Sequence, residues 1–466
     1  MPEAIADPFG ELLKRLGEAH ETRYLETLGA YVNLSGVPDS YADFQERRNA
    51  TQSAVRTGED ILYQPVMFGW RDVDGEQDFI MGIPDLLVRE GDGYLVRDCK
   101  LARHVSDRTH PEIARQLELY GWLLEQEYGE EPLRLEVLLG DGEILELPYD
   151  GGRKALAELD RIKALSRISE APYEPVGWSK CAGCPFKLSC WDRADQRQDV
   201  AVLFGVDQKV ARQLHADGNG SYADMLQGSN IEGLMQLNGV GETKARKILR
   251  HAEARYTGKV LQIGRFPHLL DRPYVMFDIE GVPEQPEEWE KAYLWGLQVF
   301  GGSQEGWYRG AVAPFRDDGD WRCWEGFLDE ARDIFEEHGD IPFVHYASYE
   351  KRMINRYVER YGDPAGVAGR VLDNLLDLYT LVPKTVILPD PSYSLKLVEK
   401  RAGYQRSQAE YGGEWSIAKY IAAVETGDAT AYEEAIGEVL IYNREDLEAT
   451  WAVFQWMARD FSQPLG

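Results

Sequence analysis

Residues 274–281 read Tyr274-Val275-Met276-Phe277-Asp278-Ile279-Glu280-Gly281. The aromatic and β-branched residues predict a strand, and side chains alternate along a strand, so Asp278 and Glu280 share one face of a sheet. Two carboxylates held side by side in an apolar run repel each other. Burying them requires a cation between them or a raised pKa. Far downstream, Tyr442-Asn443-Arg444-Glu445-Asp446 sets a phenol and a carboxylate one helical turn apart on a common face. A strand Asp-x-Glu and a helical Tyr-x-x-x-Asp together make the donor set that a pair of divalent ions requires.

Around this stretch, strands are expected over 273–279, 292–300 and 306–313, followed by helices. Upstream, residues 200–260 read as helical. Further back, residues 11–30 predict a helix carrying Leu12, Leu13, Leu16, Tyr24, Leu25 and Leu28 at helical spacing. Strands are expected at 61–63, 79–81, 86–88 and 94–96, divided by Gly and Asp turns. An amphipathic helix over 111–127 and strands over 133–139 and 143–147 follow. The pattern is mixed α/β and multidomain.

With 466 residues the chain has room for two to four domains. No apolar run reaches membrane-spanning length and no signal-peptide pattern opens the sequence, so the expected setting is cytoplasmic, without a membrane partner. Five cysteines, three of them clustered, argue against a secreted disulfide scaffold. The net charge of −29 excludes a broad basic surface. Any path for nucleic acid must be local, and the best stretch is Lys244-Ala-Arg246-Lys247-Ile-Leu-Arg250, followed by Arg255 and Lys259. The acidity itself reads as a solvated surface.

A second acidic constellation lies near the N-terminus. Gly82-Ile-Pro84-Asp85 is followed by Asp98-Cys99-Lys100, where Asp98 and Lys100 share a strand face. An acid followed by Asp-x-Lys across a hairpin binds a divalent metal and sets an ammonium beside a phosphate. Alone, the same residues describe a surface ion pair. His20 on the preceding helix, and Gln116 and Tyr120 on one face of the following helix, complete an ordered set. Over residues 11–195 this set resembles the RecB-like branch of the PD-(D/E)xK nucleases, which includes the nucleases of the CRISPR adaptation machinery. The resemblance implies that His20, Asp85 and Asp98 hold Mg2+ or Mn2+, that Lys100 is catalytic, and that Gln116 and Tyr120 assist.

Cys181-Ala-Gly-Cys184-Pro-Phe-Lys-Leu-Ser-Cys190 suits a soft metal or an iron–sulfur cluster, with three structural thiols or a zinc site as alternatives. The RecB-like branch uses this spacing for a [4Fe–4S] cluster with a fourth cysteine near the N-terminus. Here no cysteine precedes Cys99. A missing leading segment, another ligand or loss of the cluster would account for that. Leu237-Asn-Gly239-Val-Gly241-Glu-Thr-Lys244 resembles a helix-hairpin-helix element, implying backbone and Lys244, Arg246 and Lys247 contacts to phosphate. A Gly-rich turn between helices is the alternative.

The C-terminal region resembles the RNase H-like DEDD exonucleases of the subclass with Tyr in its last motif. The resemblance implies that Asp278, Glu280 and Asp446 hold metal and that Tyr442 orients water. In His345-Tyr-Ala-Ser-Tyr349-Glu350, Glu350 takes a slot usually held by Asp, with Asp377 a secondary acid. Ser392-Tyr-Ser-Leu395-Lys396 also recurs in exonuclease-like domains fused to RecB-like nucleases. The expected organisation is a nuclease domain over 1–170, a cysteine segment over 171–195, a helix-hairpin-helix connector over 196–265 and an exonuclease domain over 270–466. The expected function is metal-dependent hydrolysis of DNA, favoured over RNA, in single strands or from ends. The alternative is a non-catalytic nucleic-acid-binding or assembly subunit.

Overall fold

Chain contacts in the computed structural model separate residues 10–172 from residues 173–283 and 290–466. All residues are described except 1–7, 37–39, 74, 107, 170–172, 178–180, 182–183, 185, 284–288, 303–305, 316–317, 408–411 and 464–466.

The first unit opens with a helix over Pro8–Thr27, three residues earlier than its apolar spacing suggests. A second helix, Tyr41–Thr57, escapes the periodicity because it carries few apolar residues. Reciprocal capping by Ser40 and Asp43 and a left-handed Gly58 define its ends. Six strands form one sheet in the order β1 (Val32–Asn33), β2 (Ile61–Tyr63), β5 (Leu86–Glu90), β6 (Gly93–Cys99), β7 (Leu135–Leu138) and β8 (Ile144–Leu147). Strands β3 (Met67–Val73) and β4 (Glu76–Gly82) make a separate two-stranded ribbon. The Pro111–Tyr128 helix packs Leu117 and Leu123 into a core with Leu87, Val96 and Val137. A further helix, Arg153–Ser166, follows the sheet.

In the second unit, helices Gln208–Ala216, Tyr222–Gly228 and Glu242–Thr257 are continuous with the C-terminal region. His251 Nδ1 lies 3.3 Å from the Leu388 carbonyl, and Arg255 donates to the Pro389 carbonyl at 2.6 Å. Short strands β9 (Leu261–Gln262) and β15 (Val386–Ile387) also pair. The principal sheet runs β12 (Arg309–Val312), β11 (Lys291–Phe300), β10 (Tyr274–Val282), β13 (Phe343–His345), β14 (Leu375–Asp377). Strand β10 is central, antiparallel to β11 and parallel to β13. Its alternation is visible in the packing. Tyr274 meets Phe454 of the Ala429–Asp460 helix at 4.4 Å between ring centroids. Phe277 meets Phe327 of the Gly319–His338 helix on the other face at 5.5 Å. Asp278 and Glu280 continue the Tyr274 face, so the strand aims both acids at the long last helix.

Candidate active sites

Strand β10 and the last helix come together because Gly296, the register partner of Asp278, has no side chain. A Cβ there would lie 1.8 Å from Asn443 Oδ1. Asn443 is buried, donates to Asp278 Oδ2 at 2.8 Å and accepts from the Tyr308 hydroxyl at 2.9 Å. One turn along, Asp446 completes a cluster. One carboxylate oxygen from each of Asp278, Glu280 and Asp446 lies within 4.8 Å of the others. Among the described residues this is the one group of three or more His, Cys, Asp or Glu gathered so closely.

The electrostatics follow from burial. Desolvation, with the charges of Asp446 and Glu280, raises the Asp278 carboxyl far above its ordinary range. Glu280 is pushed up to about 8 by desolvation and then by Asp446, against hydrogen bonds from Ser416 and Asn443. Desolvation also raises Asp446, opposed by Arg406. Buried Arg406 donates to Asp446 Oδ1 at 2.5 Å and to both Glu399 oxygens at 2.8 and 2.7 Å. The Tyr442 phenol is raised by burial and then by Asp446, Glu280 and Asp278, and it hydrogen-bonds Asp446. Three carboxylates, Glu280 and Asp446 buried and Asp278 half-buried, that are hard to ionise together fit a divalent cation, which would supply the missing charge.

Glu350 is buried near this cluster but outside the three-acid group, with its Oε2 3.0 Å from His345 Nδ1. Asp377 Oδ1 accepts from the Ala347 amide at 3.2 Å and supports a backbone at φ 85, unusual for a non-glycine residue. In the Ser392–Lys396 stretch, the Tyr393 hydroxyl donates to the Val386 carbonyl at 3.1 Å, a packing role.

The N-terminal acids meet across the β5–β6 hairpin. The Asp85 amide donates to Asp98 Oδ1 at 3.3 Å and the Cys99 amide to Asp85 Oδ2 at 2.7 Å. Lys100 forms a close ion pair with Asp98. Burial works against the charged Lys100, yet Asp98 and Asp85 outweigh it and raise its pKa. Burial, Asp98 and Glu21 push Asp85 up to about 8. Gln116 donates to the Tyr120 hydroxyl at 2.8 Å, and Asp98 and Asp85 add to the burial that raises this phenol. His20 is buried on the first helix but does not join Asp85 and Asp98 in a three-ligand group of the kind found at Asp278. Its neighbour Glu21, which the sequence reading passed over, exerts its charge on Asp85. The only sequence hint was an acid adjoining a candidate ligand.

Of the cysteines, Cys181 is half-buried and its Sγ accepts from the Gly177 amide at 3.4 Å, while Cys184 and Cys190 are exposed. Ala182, Gly183 and Pro185 lie outside the described residues. Cys323 is buried and donates to the Ala311 carbonyl at 3.2 Å. In the connector, Gly239 has φ 83 and Gly241 caps the Glu242–Thr257 helix. Four cations of the candidate basic stretch face acids. Lys244 lies 3.2 Å from Asp207, Arg246 2.6 Å from Glu242, Arg250 3.2 Å from Glu253 and Arg255 2.5 Å from Asp195. Lys247 is exposed.

Comparison with known proteins finds two nuclease-related domains. Residues 5–191 match the family model of the PD-(D/E)XK nuclease superfamily, and residues 275–458 that of the RNase_H superfamily. No curated relative matches the sequence. A solved chain, the crystal structure of SSO0001, is 18% identical, covering 39% of this chain and 96% of its own. Its TM-score of 0.20 carries no structural argument. No described helix is long and apolar enough to cross a membrane. The chain therefore joins a domain of the PD-(D/E)XK nuclease superfamily to a domain of the RNase_H superfamily.

Proposed function

We propose that the protein is a divalent-metal-dependent deoxyribonuclease with two hydrolytic sites, acting on single strands or from ends. The observation that carries this reading is the close Asp278, Glu280 and Asp446 cluster, two of its three acids buried, which has no structural use for three like charges. Mg2+ or Mn2+ held there would polarise the scissile phosphate and stabilise the charge that develops on its oxygens. In the DEDD manner, Tyr442 orients the attacking water, and Asn443 and Ser416 hold the acids in place. In the N-terminal site Asp85 and Asp98 hold the ion, with His20 and Glu21 as donors from the first helix. Lys100 offsets charge on the attacked phosphate, and Gln116 and Tyr120 border the substrate.

The connector's Gly239, Gly241, Lys244, Arg246 and Lys247 form a helix-hairpin-helix contact to the backbone of DNA. Cys181, Cys184 and Cys190 would supply three of the four ligands of a [4Fe–4S] cluster, or of zinc, the fourth being unassigned; the amide directed at the Cys181 sulfur supports a thiolate there.

A second reading, a nucleic-acid-binding or assembly subunit with a silent C-terminal site, draws support from Arg406 on Asp446 and from the Glu350–His345 pair. End-labelled single- and double-stranded DNA and RNA, with Mn2+ or EDTA, separate the two. Asp98→Ala and Asp278→Ala should each remove a distinct set of products, about a thousandfold in rate. Unchanged cleavage by the double variant rejects the assignment, and metal-independent binding without products favours the second reading.

A further inference from the structure

The β3–β4 ribbon has two unlike faces. Its back is anchored. A Cβ on Gly69 would strike Trp122, and one on Gly82 would strike Tyr120 and Leu123, so the backbone lies directly on the Pro111–Tyr128 helix. Asp78 pairs with Lys163 on the same side. Its front is open and aromatic. Trp70 and Phe79 are register partners with ring centroids 4.6 Å apart, and Tyr41 lies 5.9 Å from Phe79. Trp70 is 47% exposed, Phe79 38% and Tyr41 54%, although buried Phe68 beneath them holds the rings in one layer. The Trp70–Phe79 pair also stabilises the ribbon as a cross-strand contact, while Tyr41, from outside the ribbon, extends the ring surface beyond that pair.

The position of this face selects its occupant. On the ribbon's anchored side, Gly82, the last residue of β4, abuts Tyr120 of the N-terminal site, so the open face lies on the opposite side of the same ribbon. From Phe79 to Asp85 the chain can span at most about 20 Å. The ribbon therefore leads from solvent to the acids of a nuclease-superfamily domain. Its cations are already engaged: Arg71 with Asp160 at 2.6 Å, and Arg48, which lies under Phe68, with Glu127 at 2.7 Å. Exposed Asp72, two residues from Trp70 on the same face, repels phosphates, so this open row of rings suits the π-faces of bases more than their phosphates.

We propose that the open face of the Met67–Gly82 ribbon, with Trp70 and Phe79 at its centre and Tyr41 beside them, is a stacking platform that guides the bases of a single-stranded nucleic acid to the Asp85–Asp98 site. This rests on the nuclease reading above. Duplexes keep their bases stacked on one another and gain little from the platform.

The test uses the full chain carrying Asp98→Ala and Asp278→Ala, in EDTA, so that the probe stays intact. Fluorescence anisotropy with labelled oligo(dT), oligo(U) and a blunt DNA duplex gives the affinities across a salt series. Adding Trp70→Ala and Phe79→Ala should weaken single-strand binding about tenfold or more, with the salt slope unchanged because no phosphate contact is lost. Trp70→Phe with Phe79→Tyr should restore binding, and circular dichroism should match throughout. Retained affinity in the alanine variant overturns the platform alone. So does a lower salt slope, or a change of mass in light scattering in place of a loss of affinity, which would make the face a contact between copies. A parent that binds no single strand overturns the platform and the nuclease reading together.

Discussion

At Asp98 the compensating cation is Lys100, two residues along the same strand, half-buried and tied to a single acid. At Asp446 it is Arg406, forty residues away, buried and clamped by Glu399. The N-terminal site thus carries its own positive charge beside two acids. The C-terminal site carries an arginine shared between Glu399 and Asp446, one cation among Asp278, Glu280, Asp446 and Glu399. The contrast teaches that two acidic clusters on one chain are compensated by different routes: a lysine two residues away in the first, an arginine from a distant segment in the second.

The largest expected effect follows from this difference. Lys100→Gln should lower the N-terminal site's rate by about a hundred- to a thousandfold, the usual loss for one charge-stabilising donor, in a chain with Asp278→Ala. Divalent-ion binding should survive, because the acids remain. A Lys100→Gln rate within threefold of the parent would erase the distinction between the sites.

A smaller effect sharpens the comparison through stability. The folded pKa of Glu280, about 8, lies above its ordinary 4.5, so the metal-free folded state binds more protons than the unfolded chain between those values. That contribution is fully present below about pH 4.5 and is lost as pH rises through about 8. Asp85 behaves alike between 3.8 and about 8. The melting temperature of the EDTA-treated protein should fall over this window, and Mg2+ should restore it at pH 8 far more than at pH 5. At a hundredfold excess over Kd the gain is about 2.7 kcal/mol. Calorimetry with equal Mg2+ stabilisation at both pH values would break the argument.

Much of the C-terminal fold was legible because β10 alternates cleanly and its two acids sit on the face of Tyr274. The N-terminal unit was harder to read. The Tyr41–Thr57 helix is held by caps in place of an apolar stripe, and β3 has only Met67 and Phe68 at its start to mark it. The acids of both sites were visible as motifs, whereas their neighbours were not. Arg406, Glu399 and Gly296 act through approaches made by distant segments, which no local spacing records. Asn443 lay inside the Tyr442–Asp446 motif and was passed over because it matches no metal-ligand pattern. The neutralisation of Lys244 by Asp207 likewise depends on the folded connector, whereas the Glu242–Arg246 pair is a helical i,i+4 spacing already present in the sequence.

Mn2+ binding at equilibrium, followed by the loss of the free-ion electron paramagnetic resonance signal, tests most directly whether these acids are cation sites. The full chain should take up Mn2+. Asp278→Ala should lose the C-terminal share, Asp98→Ala the N-terminal share, and the double variant nearly all of it. A full chain that leaves the free Mn2+ signal unchanged, or a double variant that binds as the parent does, would contradict the account.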